Sequence, residues 1–163
     1  MSFLQRTGEL KFAAALGAAL AISACAKAPD TLAGLNWGRA APGSPQDFAV
    51  NAGDRVFFDS DSSELSGTAQ ATLAKQVSWL QQYGRYNLTV EGHADERGTR
   101  EYNFALGARR AETTKDYLVA RGIPTARIRT ISYGKERPVA TCNDISCWSQ
   151  NRRAVTVLTG GLS

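Results

Sequence analysis

Residues Glu91–Ala111, EGHADERGTREYNFALGARRA, decide the reading of the fold. Thr89 and Val90 close an apolar run just before them. The stretch therefore reads as a strand end, a polar turn and the first half of a helix. Gly92 and Gly98 are the permissive residues of the turn. From Thr99 or Arg100 the pattern becomes helical. Asn103, Gly107 and Arg110 recur at i, i+4, i+7 and share one face. Phe104, Ala108, Ala111 and Leu118 form a neighbouring apolar face, expected to pack. The layout predicts a polar, loop-side face beside a buried one. Asp95, in the turn before the helix, then shares space with Arg110, and an anion and a cation facing one pocket suit a small zwitterion.

Outward from this stretch, strands alternate with helices. Arg55-Val56-Phe57-Phe58 is a short β run, Asp59–Glu64 a polar turn, and Ser66 a candidate N-cap. Ala69, Leu73, Val77 and Leu80 fit an amphipathic helix that stops near Gly84. Leu88 and Val90 belong to a second strand. The long helix runs from about Arg100 to Arg121, with Gly122 just past its end and Pro124 beyond. Ile128–Tyr133 and Ala154–Leu158 read as the third and fourth strands. The order βαβαββ predicts right-handed crossovers and a two-layer α/β (α+β) sandwich, a mixed sheet with both helices on one face.

The N-terminus reads as an address label, with a signal peptide over residues 1–24. Arg6 and Lys11 supply charge, and Phe12–Ile22 is apolar and Ala-rich but too short to span a bilayer. It ends in Ile22-Ser23-Ala24-Cys25, small residues before a single Cys. Residues 25–47 contain Pro29, Gly34, Gly38, Pro42, Gly43 and Pro45 without sustained periodicity, and read as a flexible tether. Some twenty residues reach about 70 Å at full stretch and about 25 Å as a coil. Leu32, Leu35 and Trp37 are apolar for a pure spacer. Residues 48–163 form the globular domain.

Composition excludes more than it assigns. The chain has 163 residues, 43% hydrophobic and 21% charged, and a formal net charge of +4. These values are ordinary for a globular protein. No Lys/Arg block argues for nucleic acid as a partner, and the mild basicity also suits a polyanionic wall or membrane surface. His93 is the only histidine. It has no HExxH motif and no Cys or Ser partner that can be argued from spacing, so no metal, cofactor or catalytic residue is expected. Glu91, Asp95 and Glu96 cluster, and paired carboxylates can hydrolyse glycans, but adjacent acids in a turn are more commonly surface charge. Cys142 and Cys147 flank a four-residue loop and are a candidate disulfide in an exported domain. Two free thiols are the alternative. Of Arg152 and Arg153, which alternate at a strand start, one is expected to point away from the site.

Several spaced motifs, in order, resemble a known family. They are Phe58-Asp59-Ser60-Asp61, then Gly92-His93-Ala94-Asp95 with Gly98, then Asn103, Leu106, Arg110 and Ala111, then Tyr133-Gly134, and finally Asn151-Arg152-Arg153-Ala154-Val155. Over Val56–Leu158 the chain resembles the C-terminal peptidoglycan-binding domain of the outer membrane protein A family. As a whole it resembles the peptidoglycan-associated lipoproteins of that family. Gly107 stands where the family often has Ser, and Ala94 where Thr is common. Gly107 weakens the helix by about 1 kcal/mol relative to Ala and is expected to leave room beside the pocket.

The resemblance implies a non-catalytic lipoprotein that binds the meso-diaminopimelate of peptidoglycan stem peptides. The free end of that residue carries an ammonium and a carboxylate, which call for an acceptor and a planar donor fork. The family pattern carries these roles to Asp95 and Arg110, with Asn103, Asp59 and Phe58 also at the ligand. Gly92, His93, Gly98, Leu106, Asn151 and Arg152 have supporting places. The lipobox-like end makes Cys25 the lipidated residue, with S-diacylglyceryl and N-acyl chains. Ala26 after it points to the periplasmic face of the outer membrane. Family resemblance further implies TolB and the Tol complex as partners, a surface shared by TolB and peptidoglycan, and a role in constriction at division. The alternatives are another wall-anchoring lipoprotein outside the Tol system and, from a different class, a peptidoglycan hydrolase.

Overall fold

The computed structural model describes residues 40–160. The chain enters through α1 (Pro45–Asp47), which continues into a π-helical turn over Phe48–Gly53. It then forms β1 (Arg55–Phe57), α2 (Gly67–Gln82), β2 (Asn87–His93), α3 (Arg100–Ala120), a 3₁₀ turn (Thr125–Arg127), β3 (Ile128–Gly134), α4 (Ile145–Asn151) and β4 (Arg153–Thr159). One mixed sheet has the order β1-β4-β2-β3. β4 is antiparallel to both its neighbours, and β2 and β3 are parallel across the α3 crossover. This is the expected two-layer α/β sandwich.

Local chemistry starts and stops the two long helices. The Ser66 hydroxyl accepts from Ala69 N, and the Thr99 hydroxyl from Tyr102 N, so each first turn has a side-chain cap. α3 ends at Gly122, with φ +94°. There Gly122 N donates to Val119 O and Ile123 N to Leu118 O, the paired bonds of a Schellman motif. Leu73 and Leu80 of α2, Ala111 and Leu118 of α3, and Val56, Leu88 and Val90 of the sheet share one buried cluster.

The face of α3 that packs is only partly the expected one: Ala111 and Leu118 are buried, but the other two residues of that face are not. Phe104 is 57% exposed and Ala108 is also exposed, whereas Asn103, Leu106, Gly107, Arg110, Ala111, Thr114 and Leu118 are buried. The polar stripe therefore faces the sheet. Gly92 and Gly107 make this possible. A Cβ built on Gly107 would come within 2.5 Å of Ser132 Oγ and 2.9 Å of Gly92 O. Gly107 thus serves close helix–strand approach rather than space beside the pocket. The buried polar groups are satisfied by backbone carbonyls, Arg110 by those of Ser62, His93 and Asp59, Asn103 by those of Arg97 and Thr99, and Thr114 by that of Arg110, which hydrophobic periodicity cannot show.

Two helical pieces were not expected from the sequence. The first moves the start of the folded domain ahead of residue 48. Ser44 caps α1, and the Asp47 carboxylate accepts from Gly43 N at 2.8 Å, Asn51 Nδ2 at 2.6 Å and Trp79 Nε1 at 2.7 Å. Gly43 O accepts from Arg85 Nη2 and Tyr86 O–H. Phe48 then meets the Trp79 ring edge-on, centroids 5.0 Å apart. Three of these partners, Trp79, Arg85 and Tyr86, lie more than thirty residues away, so the Pro/Gly-rich stretch reads as linker until the chain has folded. The second piece is α4, which replaces an expected loop. It has an Asp144 N-cap but no sustained apolar period. The expected signal peptide and lipidated Cys25, and the tether residues Leu32, Leu35 and Trp37, lie outside the described residues.

Candidate functional site

β2 ends in a register shift at Gly92/His93, and Ala94 N bonds Gly134 O at 2.8 Å. This carries Asp95 off the sheet into the turn before α3, where it is only 7% exposed. Its Oδ1 accepts from Arg97 N and Nε at 3.1 and 3.0 Å, and its Oδ2 from Arg97 Nη2 at 2.7 Å and Arg152 Nη1 at 3.4 Å. Burial pushes this carboxyl up, but the Arg97 bonds and Arg152 outweigh it and hold the pKa below the usual carboxylate value. Asp95 is an ionised acceptor at neutral pH.

Above it opens a cavity of about 230 Å³, lined by Asp95, Arg97, Ser60, Asp61, Tyr102, Asn103 and Leu106, with Gly98 at the rim. Asn103 donates through Nδ2 to Arg97 O at 2.6 Å and Thr99 O at 3.1 Å. It therefore fastens the turn, in which Gly98 sits at φ +84°. Leu106 is the apolar wall. Tyr102 O–H donates to the Asp61 carboxylate. Asp61 is the one non-glycine at positive φ among the described residues, at 57°, and this backbone turn brings it to the mouth.

Arg110 is placed differently from the expectation of a cation facing the pocket. It has no exposed surface and does not line the cavity. Its Nε donates to Ser62 O at 2.8 Å, Nη1 to His93 O at 2.8 Å and Nη2 to Asp59 O at 3.1 Å. Its guanidinium also lies over the Phe58 ring, 5.2 Å from the centroid. Burial, followed by the charge of Arg152, pushes it down to about 10, so it stays protonated at neutral pH. It splices the β1–α2 loop to the end of β2 from beneath the site. The accessible cation is Arg97, whose Nη2 also reaches Ser60 Oγ at 2.8 Å.

The remaining expected residues divide by side of the sheet. Arg152 turns towards the site: it donates to Phe58 O at 3.0 Å and to Asp95 Oδ2 at 3.4 Å. Arg153 points the other way and bonds Arg137 O and Asn151 O. Phe58 is buried, and Asp59 contributes its carbonyl to Arg110 while lining a neighbouring cavity of about 450 Å³ with Phe57 and Arg152. Gly92 lies under α3, away from the ligand space. His93 is next in the strand and so faces the sheet's other side. Its ring packs on Tyr133 at 5.6 Å, and among the described residues neither ring nitrogen has a hydrogen-bond partner. Asn151 holds Val139 and Ala140, and Cys142 and Cys147 are disulfide-bonded.

Sequence reasoning missed Arg97, Tyr102 and the part played by Asp61. Arg97 had a readable signal: it lies two residues after Asp95 in the same turn, within reach of a local carboxylate–guanidinium fork. The Tyr102–Asp61 bond joins residues forty-one apart and had none.

Known proteins resemble this chain in sequence and in fold. Residues 57–152 match the model of the OmpA family. The chain is 64% identical over 151 residues to a protein of Rhizobium meliloti (strain 1021) named peptidoglycan-associated lipoprotein, spanning 90% of this chain and 86% of that one. It is 58% identical over 165 residues to the protein of the same name from Brucella melitensis biotype 1, with 98% of each chain covered. The crystal structure of the peptidoglycan-associated lipoprotein from Burkholderia pseudomallei superposes with a TM-score of 0.67 at 36% identity, covering 71% of this chain and all of that one. The C-terminal domain of Helicobacter pylori MotB shares the fold, with a TM-score of 0.62 at 19% identity over 66% of this chain and 85% of that one.

Proposed function

Since this chain belongs to the peptidoglycan-associated lipoproteins, with a domain of the OmpA family, we propose that it binds peptidoglycan non-covalently and ties the outer membrane to the wall. The role is binding, without catalysis. The observation that carries the reading is the Asp95–Arg97 pair at the cavity: a held carboxylate beside a guanidinium that is 42% exposed. Among the described residues no acceptor takes the Arg97 Nη1 hydrogens. Diaminopimelate ends in an ammonium and a carboxylate. The ammonium is placed against Asp95 and Asp61, and the carboxylate against the open edge of Arg97. Arg110 supports the site by shaping its floor. The cavity suits an amino-acid end rather than a sugar chain, which fits recognition through the stem peptide.

The anchor in this reading is Cys25, acylated and diacylglycerylated. Each buried methylene contributes about 0.8 kcal/mol, so several chains together hold firmly. Ala26 favours the periplasmic face of the outer membrane. Family resemblance supports TolB and the Tol complex as partners that compete with the wall for this surface, and a part in envelope constriction at division.

The test is co-sedimentation of the full-length protein, in mild detergent, with purified diaminopimelate-type sacculi. The parent is expected in the pellet. Asp95→Ala and Arg97→Ala are expected to stay in solution with unchanged circular dichroism, and free meso-diaminopimelate should release the parent where lysine does not. A folded parent that does not pellet sinks the wall-binding reading. Equal pelleting of all three moves the binding surface elsewhere.

A further inference from the structure

Arg97 is held from two sides. Asp95 takes its Nε and Nη2, and its guanidinium carbon lies 4.2 Å from the centroid of the Trp148 ring. The Trp148 indole N–H donates to the Glu96 carboxylate, so the ring is fixed at its edge as well as its face. A guanidinium stacked on an aromatic face keeps its plane and presents its free edge in one direction. Here that edge carries Nη1, on a side chain that lines the cavity.

Trp148 stands on α4, a seven-residue helix too short to persist unaided. Its two ends are tied down. Cys147, next to Trp148, is disulfide-bonded to Cys142 with Cα atoms 5.6 Å apart. Asn151 accepts from Val139 N and Ala140 N at 2.9 and 3.2 Å and donates to Ala140 O at 2.8 Å. The chain of contacts runs from disulfide to α4, to Trp148, to Arg97, to the cavity.

We propose that Trp148 is a positioning residue of the pocket, and that the Cys142–Cys147 disulfide serves ligand binding by holding Trp148 against Arg97. The inference rests on the reading of this pocket as the site for a zwitterionic amino-acid end. The disulfide then sets affinity as well as stability. A dithiol reductant reverses its effect by exchange, yielding two cysteine thiols and the cyclic disulfide of the reductant.

The experiment titrates full-length protein in detergent with free meso-diaminopimelate by calorimetry. It compares the parent, Trp148→Ala, Trp148→Phe and Cys142→Ser/Cys147→Ser, each before and after treatment with dithiothreitol. Trp148→Ala should bind roughly tenfold more weakly, the loss of one partly desolvated cation–π contact. Trp148→Phe, which keeps an aromatic face, should stay within about threefold of the parent. Reduction should weaken the parent but leave Trp148→Ala unchanged, because both changes act through one contact. The double-serine variant should match the reduced parent and ignore the reductant. Parent-like binding by Trp148→Ala, or an equal loss on reduction in parent and Trp148→Ala, overturns the inference while the wall-binding reading stands. A reduced parent that binds at full strength also overturns it, even if the alanine variant fails to fold. If the untreated parent binds neither diaminopimelate nor sacculi, the wall-binding reading falls and this inference falls with it.

Discussion

Gly92 and Gly107 let α3 settle backbone to backbone on β2. A Cβ on Gly92 would overlap the Gly107 carbonyl group, which no rotamer change can relieve. Gly92→Ala is therefore expected to lose about 3 kcal/mol or more, since overpacking against main chain has no cheap relaxation. Gly107→Ala meets a movable hydroxyl, Ser132 Oγ, at 2.5 Å, as well as Gly92 O at 2.9 Å. Its cost should be smaller, about 1–3 kcal/mol. Urea unfolding of the two variants checks the order, and equal midpoints would show that the helix can lift from the strand.

Arg110 should behave as scaffold. Arg110→Ala strands three carbonyl groups, those of Ser62, His93 and Asp59, and empties a buried volume. A loss of about 3 kcal/mol or more is expected. Arg110→Met fills the space without the donors and should recover only part of that loss. A variant that unfolds like the parent yet no longer binds sacculi would make Arg110 a ligand group instead.

Acid should weaken the fold well above the range where carboxylates titrate. His93 is 2% exposed; burial first, and then the charges of Arg153, Arg137 and Arg55, hold its pKa down to about 4. An unfolded histidine titrates near 6.5. Between these values the unfolded chain binds one proton more than the folded one, so stability rises with pH across that window. The slope for one group is at most about 1.4 kcal/mol per pH unit. Chemical denaturation between pH 4 and 7 should show this slope in the parent and lose it in His93→Gln. The Asp95 contribution is lost only lower, as pH falls through its depressed pKa.

The entry of the chain should loosen as a unit when Asp47 is changed. Its carboxylate gathers Gly43 N, Asn51 Nδ2 and Trp79 Nε1. In Asp47→Ala, amide exchange over Phe48–Gly53 should speed up by at least tenfold, while the amides of β2 and β4 keep parent rates. Uniform acceleration across the sheet would mean that this clasp is part of the global folding unit.

Much of the fold was legible because its signals are local. Ser66, Thr99 and Gly122 marked helix ends through their own hydrogen-bonding and φ preferences, and Leu73, Leu80, Leu88 and Val90 marked buried faces by period. α4 and the α1 segment were not legible. They are held by contacts such as Cys142–Cys147 and Asp47–Trp79, which exist only after folding. The polar face of α3 was misplaced for the same reason. Periodicity ranks residues by hydrophobicity, and it cannot see that carbonyls at the end of β2 and after β1 will satisfy Arg110.

By itself the sequence determined the order of the four strands and two long helices, the turn that carries Asp95, and the ionic character of that turn, because these follow from covalent neighbours and from residue chemistry. Tertiary structure alone decided which cation lies open at the cavity. Asp95 and Arg97 are neighbours in a turn, so their fork forms locally. Arg110 lies midway along α3, and the close approach at Gly92 and Gly107 draws it under the end of β2, where three carbonyls take its donors. The same packing leaves Arg97 at the surface, between Asp95 and Trp148, with one edge free.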